Sequence, residues 1–419
     1  MDTARAHGAN SRMIRVATGF SADRGMNRKR RRLLITLGLL SIVAAGFYYF
    51  YFVSTEAAVR HAEAFLFSRA TVNQRSGQGT YRHFYVTNRV PEDRNAPIER
   101  RFSAERSPEL TFGHFDISIR PTLGLGMMLN ATDWFQNEEI QIDDLADLDE
   151  SVFLDSLRQT VDRTPHRSLL IVIHGFRERF PSALRKTAFV ASVLDVNTPV
   201  MVFDWPGNQG SSLRGYRAAR SVAEESGSEL ARTLELIIRE VKPDRLAIIG
   251  NSMGAQVIVD AFGELYSQAD LADAEIEIDS VVLTAPDVDR ADFNEQFKEQ
   301  IRTLSRQLIA YVSSNDRALL MSRLINRGLR VGESTLSPDM LDEAEMIAQL
   351  VEPGSDLVTL IDVTPINRTR NFHNFSLETP EFYDDLFQRL TSDEAPRNRR
   401  SYRVQTPEGN IYWVLTRGR

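Results

Sequence analysis

Short apolar runs alternate with longer amphipathic segments from residue 168 onward. Continuous runs rich in Val, Ile and Leu are typical of strands buried on both faces of a sheet. The predicted strands are 168–175, 199–205, 245–252, 279–286, 307–314 and 357–365. The predicted helices are 181–195, 215–241, 254–268, 291–305, 317–327 and 340–350. Strands joined through helices predict right-handed crossovers, and therefore an α/β domain with a mostly parallel central sheet and helices on both faces.

The pattern differs at the two ends of this domain. Residues 81–89 and 112–120 alternate aromatic and β-branched residues with polar ones, which predicts strands. The charged, proline-containing segment 91–109 predicts an exposed loop, and the acidic stretch 138–150 predicts a linker or surface segment. We expect the α/β domain to span 81–392. The C-terminal extension 393–419 contains SYRVQTPEGNIYWVL, which predicts a β-hairpin.

The longest apolar run lies near the N-terminus, at residues 33–53, and contains no charged residue. At 1.5 Å per residue a helix of this length spans roughly 30 Å, the thickness of a hydrocarbon core. Five consecutive basic residues, 28–32, precede the run, and the aromatic cluster 47–52 lies near its end. These flanks predict a single-pass transmembrane anchor in the inner (cytoplasmic) membrane, with the basic segment 1–32 in the cytoplasm.

On this interpretation the catalytic domain is periplasmic or otherwise extracytoplasmic, and residues 54–80 form a tether. Two alternatives remain open for the apolar run. The small residues Ala44, Ala45 and Gly46 would suit a signal peptide that is cleaved, and an uncharged helix of this kind could also be a buried core helix.

Charge and composition exclude several classes of binding partner and cofactor. The net charge of −7 combines +7 in residues 1–32 with −14 in the rest of the chain. An acidic body repels phosphate backbones, so we expect no nucleic-acid binding. The chain has no cysteine, which excludes thiolate zinc sites, iron–sulfur clusters and cysteine nucleophiles. We expect no metal and no cofactor, and the sequence leaves the oligomeric state open.

A G-x-S-x-G pentapeptide, Gly250-Asn251-Ser252-Met253-Gly254, follows one predicted strand and precedes a predicted helix. This strand–turn–helix setting is what a nucleophile elbow requires, because the glycines leave room for a sharp turn that exposes the serine. A serine hydroxyl is a weak nucleophile unless an imidazole accepts its proton. The sequence therefore makes Ser252 a candidate nucleophile and calls for a histidine partner.

His373 is the only histidine downstream of Ser252, and it follows the last predicted strand. The acid that orients the imidazole has two candidate positions. Asp287 and Asp289 follow the strand after the elbow, whereas Asp316 follows the next one. We prefer Asp316, because in folds with the chain order serine, acid, histidine the acid usually follows the strand two beyond the nucleophile.

An acyl-transfer site also needs backbone donors for a developing oxyanion. The N–H of Met253, directly after the serine, is one candidate. The N–H of Phe176, after the strand 168–173, is the second. We interpret His174, which lies upstream of Ser252, as a structural residue that packs beside the site.

These motifs resemble those of a bacterial α/β-hydrolase family of unknown function, DUF900-like, within the esterase/lipase superfamily. The matching stretches are FYVTNR (84–89), VIHGF (172–176), FDWP (203–206), GNSMG (250–254), APDVDR (285–290), SSNDRAL (313–319) and NFHNF (371–375). The resemblance implies an α/β-hydrolase fold and a triad of Ser252, Asp316 and His373. It does not imply a substrate.

From these observations we expect a membrane-anchored serine hydrolase that cleaves a carboxylic ester or thioester through an acyl-enzyme. Its substrate would be a small-molecule or lipid-like acyl ester. Acyl transfer to an alcohol by the same triad is one alternative. A non-catalytic envelope protein that uses the fold for binding or as a scaffold is another, because a fold does not determine a function.

Overall fold

The computed structural model describes residues 34–42, 71–75, 79–119, 140–268, 278–288, 293, 297–313, 358–367, 375–392, 400–405 and 411–417. The chain divides into two compact units, 1–54 and 55–419. In the first unit, residues 34–42 form an exposed helix. Within the described ranges, no helix has both the length and the apolar character needed to cross a membrane. The remainder of the predicted anchor 33–53 lies outside the described residues.

The second unit is built on an eleven-stranded sheet. The strands are β1 Thr80–Pro91, β2 Phe102–Ile119, β3 Ile140–Leu148, β4 Ser168–Ile173, β5 Val200–Asp204, β6 Arg245–Asn251, β7 Ile278–Thr284, β8 Ser305–Val312, β9 Val358–Asp362, β10 Ser401–Gln405 and β11 Ile411–Leu415. Their order is β10-β11-β9-β8-β7-β6-β4-β5-β1-β2-β3. Strands β1, β5, β4, β6, β7, β8, β9 and β11 pair in parallel, and the two ends of the sheet are antiparallel.

Helices cover both faces of the sheet. They are α1 Glu150–Val161, α2 Phe180–Leu194, α3 Leu213–Leu236, α4 Gly254–Ser267, α5 Lys298–Leu304, α6 Phe375–Glu378 and α7 Pro380–Thr391. One apolar cluster joins α1, α3, α4 and α5 to one face, and a second joins α2 and α7 to the other. The mostly parallel sheet with helices on both faces confirms the predicted α/β architecture.

The sequence interpretation was wrong at two places in the N-terminal part of the domain. Part of the predicted loop 91–109 belongs to β2, and most of the acidic stretch 138–150 is β3. Their charges are accommodated because the side chains find partners: Arg106 bonds Glu229 of α3, and Arg101 bonds Asp147 of β3. Charged side chains on an edge strand also discourage pairing with another chain.

Two terminal segments join the domain. At the end of the predicted tether 54–80, the Val72 N–H donates to the side-chain oxygen of Asn197, and Asn73 Nδ2 donates to the Thr198 carbonyl. At the C-terminus, β10 and β11 pair as an antiparallel hairpin, and β11 also pairs in parallel with β9. The hairpin therefore extends the central sheet.

Candidate active site

Ser252 lies in the turn between β6 and α4, and its backbone adopts a φ of +52°. For a residue with a Cβ this left-handed conformation costs about 1–3 kcal/mol, and such strain persists only where the surroundings enforce it. The Ser252 N–H donates to the Thr284 carbonyl at 2.9 Å, and its carbonyl accepts from the N–H groups of Ala255 at 3.0 Å and Asp287 at 3.1 Å. These bonds fix the turn in the sharp geometry that the pentapeptide predicts.

Steric crowding explains why both outer positions of the pentapeptide are glycine. A Cβ at Gly250 would lie 2.5 Å from the Cδ1 of Ile258 in α4. A Cβ at Gly254 would lie 2.5 Å from the His174 carbonyl oxygen and 2.7 Å from that of Ile173. The absence of both side chains lets α4 begin directly against β6 and against the end of β4.

The two predicted oxyanion donors come from segments that touch each other. Met253 is buried directly after Ser252, and Phe176 follows β4. A Cβ on the intervening residue Gly175 would lie 3.1 Å from the Ser252 Cβ. Within the part of the chain that the structure describes, no turn or loop carbonyl accepts a hydrogen bond from the Met253 or Phe176 N–H. Met253 and Phe176 therefore lie on segments that meet beside the serine.

His174 packs beside the elbow, as predicted. Its ring stacks on Trp205, with 5.5 Å between centroids and 5° between planes. Its Nε2 lies 3.0 Å from Asp204 Oδ1, and its Nδ1 lies 2.9 Å from the Gly175 carbonyl oxygen. The Trp205 indole N–H donates to the His174 carbonyl at 2.8 Å. These contacts hold the end of β4 against the end of β5.

A buried ion pair completes this support. Arg89, at the end of β1, is 1% exposed, and its Nε donates to Asp204 Oδ2 at 2.7 Å. Its two Nη groups donate to Trp205 O, Glu178 O and Asn208 Oδ1. One guanidinium thus connects the loop after β4 and the loop after β5 at the carboxyl edge of the sheet.

Asp204 stays ionised in this environment. Burial alone would raise the pKa of its carboxyl, but the charge of Arg89 and the hydrogen bonds from His174 and Arg89 outweigh burial and lower the pKa to about 2. A buried carboxylate with bound cationic partners is a stable structural anchor. Sequence reasoning missed this network. Its signal was a charged residue at the end of each of two apolar strands, Arg89 and Asp204.

The structure describes one of the three candidate acids. Asp287 is 3% exposed and lies beside the elbow, where its N–H bonds Ser252 O. Its Oδ2 accepts a hydrogen bond from the Tyr216 hydroxyl at 2.6 Å, and the Tyr216 ring packs edge-on against Phe176 at 5.6 Å. Sequence reasoning did not single out Tyr216. Asp289 and Asp316 lie outside the described residues.

His373 also lies outside the described residues, but its sequence neighbours contact the elbow. Ser376, three residues after His373, accepts a hydrogen bond at 2.9 Å from the side chain of Asn251, the residue before Ser252. Asn367, six residues before His373, donates at 2.8 Å to Ser313, three residues before Asp316. The described residues that flank both candidates therefore lie at the same edge of the sheet as Ser252.

The match to a protein-family model agrees with this architecture. The model of a family described as alpha/beta hydrolase of unknown function (DUF900) matches residues 149–390, more than half of the chain. A solved structure from Agrobacterium vitis S4, provisionally named a hydrolase, is 13% identical with a TM-score of 0.31, covering 68% of this chain and 94% of that one. No curated protein matches. The chain belongs to the DUF900 family of α/β hydrolases, whose function is unknown.

Proposed function

We propose that this protein is a serine hydrolase that cleaves a carboxylic ester or thioester through an acyl-enzyme on Ser252. The observation that carries the proposal is the left-handed backbone of Ser252, φ +52°, at a strand–helix junction. A turn that served only to connect β6 and α4 could use glycine at this position without strain. A serine retained at a strained position is typical of a functional residue.

In the proposed mechanism, His373 removes the Ser252 proton while the hydroxyl oxygen attacks the substrate carbonyl. The amides of Met253 and Phe176 donate to the oxyanion of the tetrahedral intermediate. Collapse of that intermediate expels the alcohol or thiol, which takes the proton from His373, and leaves the acyl group on Ser252. Water then attacks the acyl-enzyme with His373 again as base, which releases the carboxylic acid.

The oxyanion part of this mechanism is supported by rigidity. The segment that carries Phe176 is held at Arg177, whose N–H donates to the Gly207 carbonyl at 2.8 Å, and through Arg89 bound to Glu178 O. Donors that do not reorganise during the reaction stabilise an oxyanion most effectively. For the acid we propose Asp316, because Asp287 already accepts the Tyr216 hydroxyl.

Phosphonate labelling tests the proposed nucleophile. We expect a fluorophosphonate to label wild-type protein once, on Ser252, and Ser252→Ala to lose both labelling and hydrolysis of p-nitrophenyl esters. Ser221→Ala, at an exposed position in α3, is the matched control and should behave as wild type. A folded Ser252→Ala protein with unchanged esterase activity would contradict the proposal and favour a non-catalytic role. Adding alcohols as acceptors and measuring new ester would separate acyl transfer from hydrolysis.

We also propose that residues 33–53 anchor the protein in the inner membrane, with the hydrolase domain on the extracytoplasmic side. The support is the uncharged 21-residue run and the five basic residues that precede it. The acyl ester substrate is then a small molecule or lipid-like compound outside the cytoplasm.

A further inference from the structure

A small cavity lies on the face of the sheet that α2 and α7 cover, next to the elbow. Its apolar walls come from Val172, Val190, Ile249, Phe382 and Leu386. Its volume is about 50 Å³, several times the ~10–15 Å³ that one water molecule needs. The cavity therefore has room for a few non-hydrogen atoms and not for a long chain.

The cavity is lined by residues that adjoin the elbow. Gly175 and Asn251 line it, and so does Ser376, which bonds Asn251. Asn251 immediately precedes Ser252, and a Cβ on Gly175 would lie 3.1 Å from the Ser252 Cβ. A group bound covalently to Ser252 would thus lie close to this cavity.

Two residues that line the cavity carry buried hydroxyl groups. Thr187 of α2 is 0% exposed and Tyr383 of α7 is 3% exposed, and both line the cavity. Among the residues that the structure describes, neither the Thr187 Oγ1 nor the Tyr383 Oη has a hydrogen-bond partner. Leaving a buried polar group unpaired is costly, so two of them in one apolar cavity point to an occupant that accepts hydrogen bonds.

The charged side chains Glu178 and Lys186, which line the cavity, are paired with each other. Lys186 and Ser182 both donate to Glu178, and these contacts outweigh burial and lower the pKa of the Glu178 carboxyl. Glu178 is therefore ionised and paired with Lys186. Burial raises the pKa of Tyr383, so its hydroxyl stays protonated and can donate. Among the described residues that line it, the cavity offers neutral donors and no unpaired charge, which favours a neutral oxygen over a carboxylate.

We propose that this cavity binds the acyl end of the substrate, and that the acyl group is short and carries a neutral ether, carbonyl or hydroxyl oxygen. This inference rests on the proposed acyl-enzyme at Ser252. The Thr187 and Tyr383 hydroxyls donate to that oxygen, and the apolar walls contact the carbon atoms on either side of it. The structure thereby narrows the substrate to short, oxygen-bearing acyl esters.

Matched esters that differ only in one atom test the proposal. We would compare kcat/KM for p-nitrophenyl hexanoate with 4-methoxybutanoate, and pentanoate with 3-methoxypropanoate, in which an oxygen replaces a methylene group. For at least one pair, Thr187→Val and Tyr383→Phe should each lower the methoxy-to-alkyl ratio of kcat/KM roughly fivefold, the effect of one neutral hydrogen bond. Comparing each variant with wild type cancels the intrinsic reactivity of the esters.

Tyr402→Phe is the control, because Tyr402 is 51% exposed on β10 and its hydroxyl should not affect the ratio. Unchanged ratios in both cavity variants, with Ser252 still labelled by phosphonate, would overturn the cavity proposal and leave the hydrolase proposal standing. Calorimetry on Ser252→Ala with methyl 4-methoxybutanoate and methyl hexanoate reads the same preference without catalysis. Tighter binding of the methoxy ester that is lost in a Ser252→Ala/Thr187→Val protein would support the cavity proposal even if Ser252 is not the nucleophile. Equal binding of the two esters would contradict the cavity proposal.

Discussion

The candidate acids differ in what already surrounds them. Asp287 accepts the Tyr216 hydroxyl and also bonds Ser252 through its backbone N–H, so its contribution to the turn survives a change of its side chain to an amide. We expect Asp316→Asn to lower kcat by about 10⁴, the loss seen when a triad histidine adopts the wrong tautomer. Asp287→Asn should lower kcat by less than about tenfold. Steady-state kinetics on both variants, with circular dichroism to verify folding, makes the comparison. The opposite order of effects would assign the acid to Asp287.

His83 gives the core a sensitivity to acid. It is fully buried in β1 against Phe115, and within the described part of the chain neither of its ring nitrogens has a hydrogen-bond partner. Burial lowers its pKa to about 4, and Asp116 offsets this only partly. Because the folded pKa lies below the unfolded value of 6.5, the unfolded chain binds more protons between these two values. The folded state therefore has its full stability, as far as His83 is concerned, above pH 6.5, and it loses stability as the pH falls toward 4.

The measurable consequence is a dependence of the unfolding free energy on pH. We expect protonation of His83 to lower the unfolding free energy by about 3 kcal/mol between pH 6.5 and 4, at 1.36 kcal/mol per pKa unit. His83→Phe should remove that part of the slope, as read by urea titrations at a series of pH values. His166→Gln, at an exposed position after α1, is the matched control. An identical slope in His83→Phe and wild type would show that His83 does not titrate on unfolding.

At the scale of elements, α3 depends on a defined cap. The Ser212 side chain accepts a hydrogen bond from the Gly215 N–H at 3.1 Å, which satisfies one of the free amides at the helix start. We expect Ser212→Ala to lower the unfolding free energy by about 1 kcal/mol. Ser211→Ala, at the exposed preceding residue, removes a hydroxyl outside the cap and should change stability little. Equal stabilities of the two variants in urea would show that the cap contributes nothing.

The elements that the sequence predicted are those with uniform patterns. Strands such as β4 and β6 are buried on both faces, so their apolar runs are visible without any knowledge of partners. The N-terminal part of β2 and the strand β3 were not predicted. Charged side chains there pair with residues distant in sequence: Arg106 of β2 pairs with Glu229, more than 100 positions away. The helix α7 was also missed, and its buried Asp385 accepts a hydrogen bond from Tyr311 of β8, 74 positions away. Long-range pairing of this kind leaves no local pattern.

The candidate site also has parts that the local sequence predicts and parts that depend on the fold. The turn at Ser252 follows from its own glycines, and was predicted as such. By contrast, the positions of Tyr216, Thr187 and Tyr383 depend on how α2, α3 and α7 pack on the sheet, and nothing in their local sequence indicates a site. Local motifs therefore identified the candidate chemistry, whereas the cavity and the supporting network required the fold.

At the scale of the whole molecule, charge predicts how the protein associates with a membrane. Beyond residue 32 the chain carries a net charge of −14, which an anionic lipid surface repels. If the proposed anchor is correct, stable association comes from the apolar run 33–53 and not from the surface of the hydrolase domain. We expect the full chain to remain in the membrane fraction after extraction with high salt or carbonate, and a chain without residues 1–53 to be extracted.

On the proposed topology the basic residues 28–32 have a separate role, because positive charge beside a span sets its orientation and contributes little to insertion. Replacing all five with Gln should leave the protein in the membrane fraction while a fraction of molecules inverts, as measured by protease access to the hydrolase domain in spheroplasts. A soluble periplasmic protein whose N-terminus lies just after Gly46 would instead establish a cleaved signal peptide. Extraction of the full chain thus distinguishes an uncleaved anchor, which keeps the proposed active site near lipid, from a cleaved signal peptide, which leaves the hydrolase domain soluble.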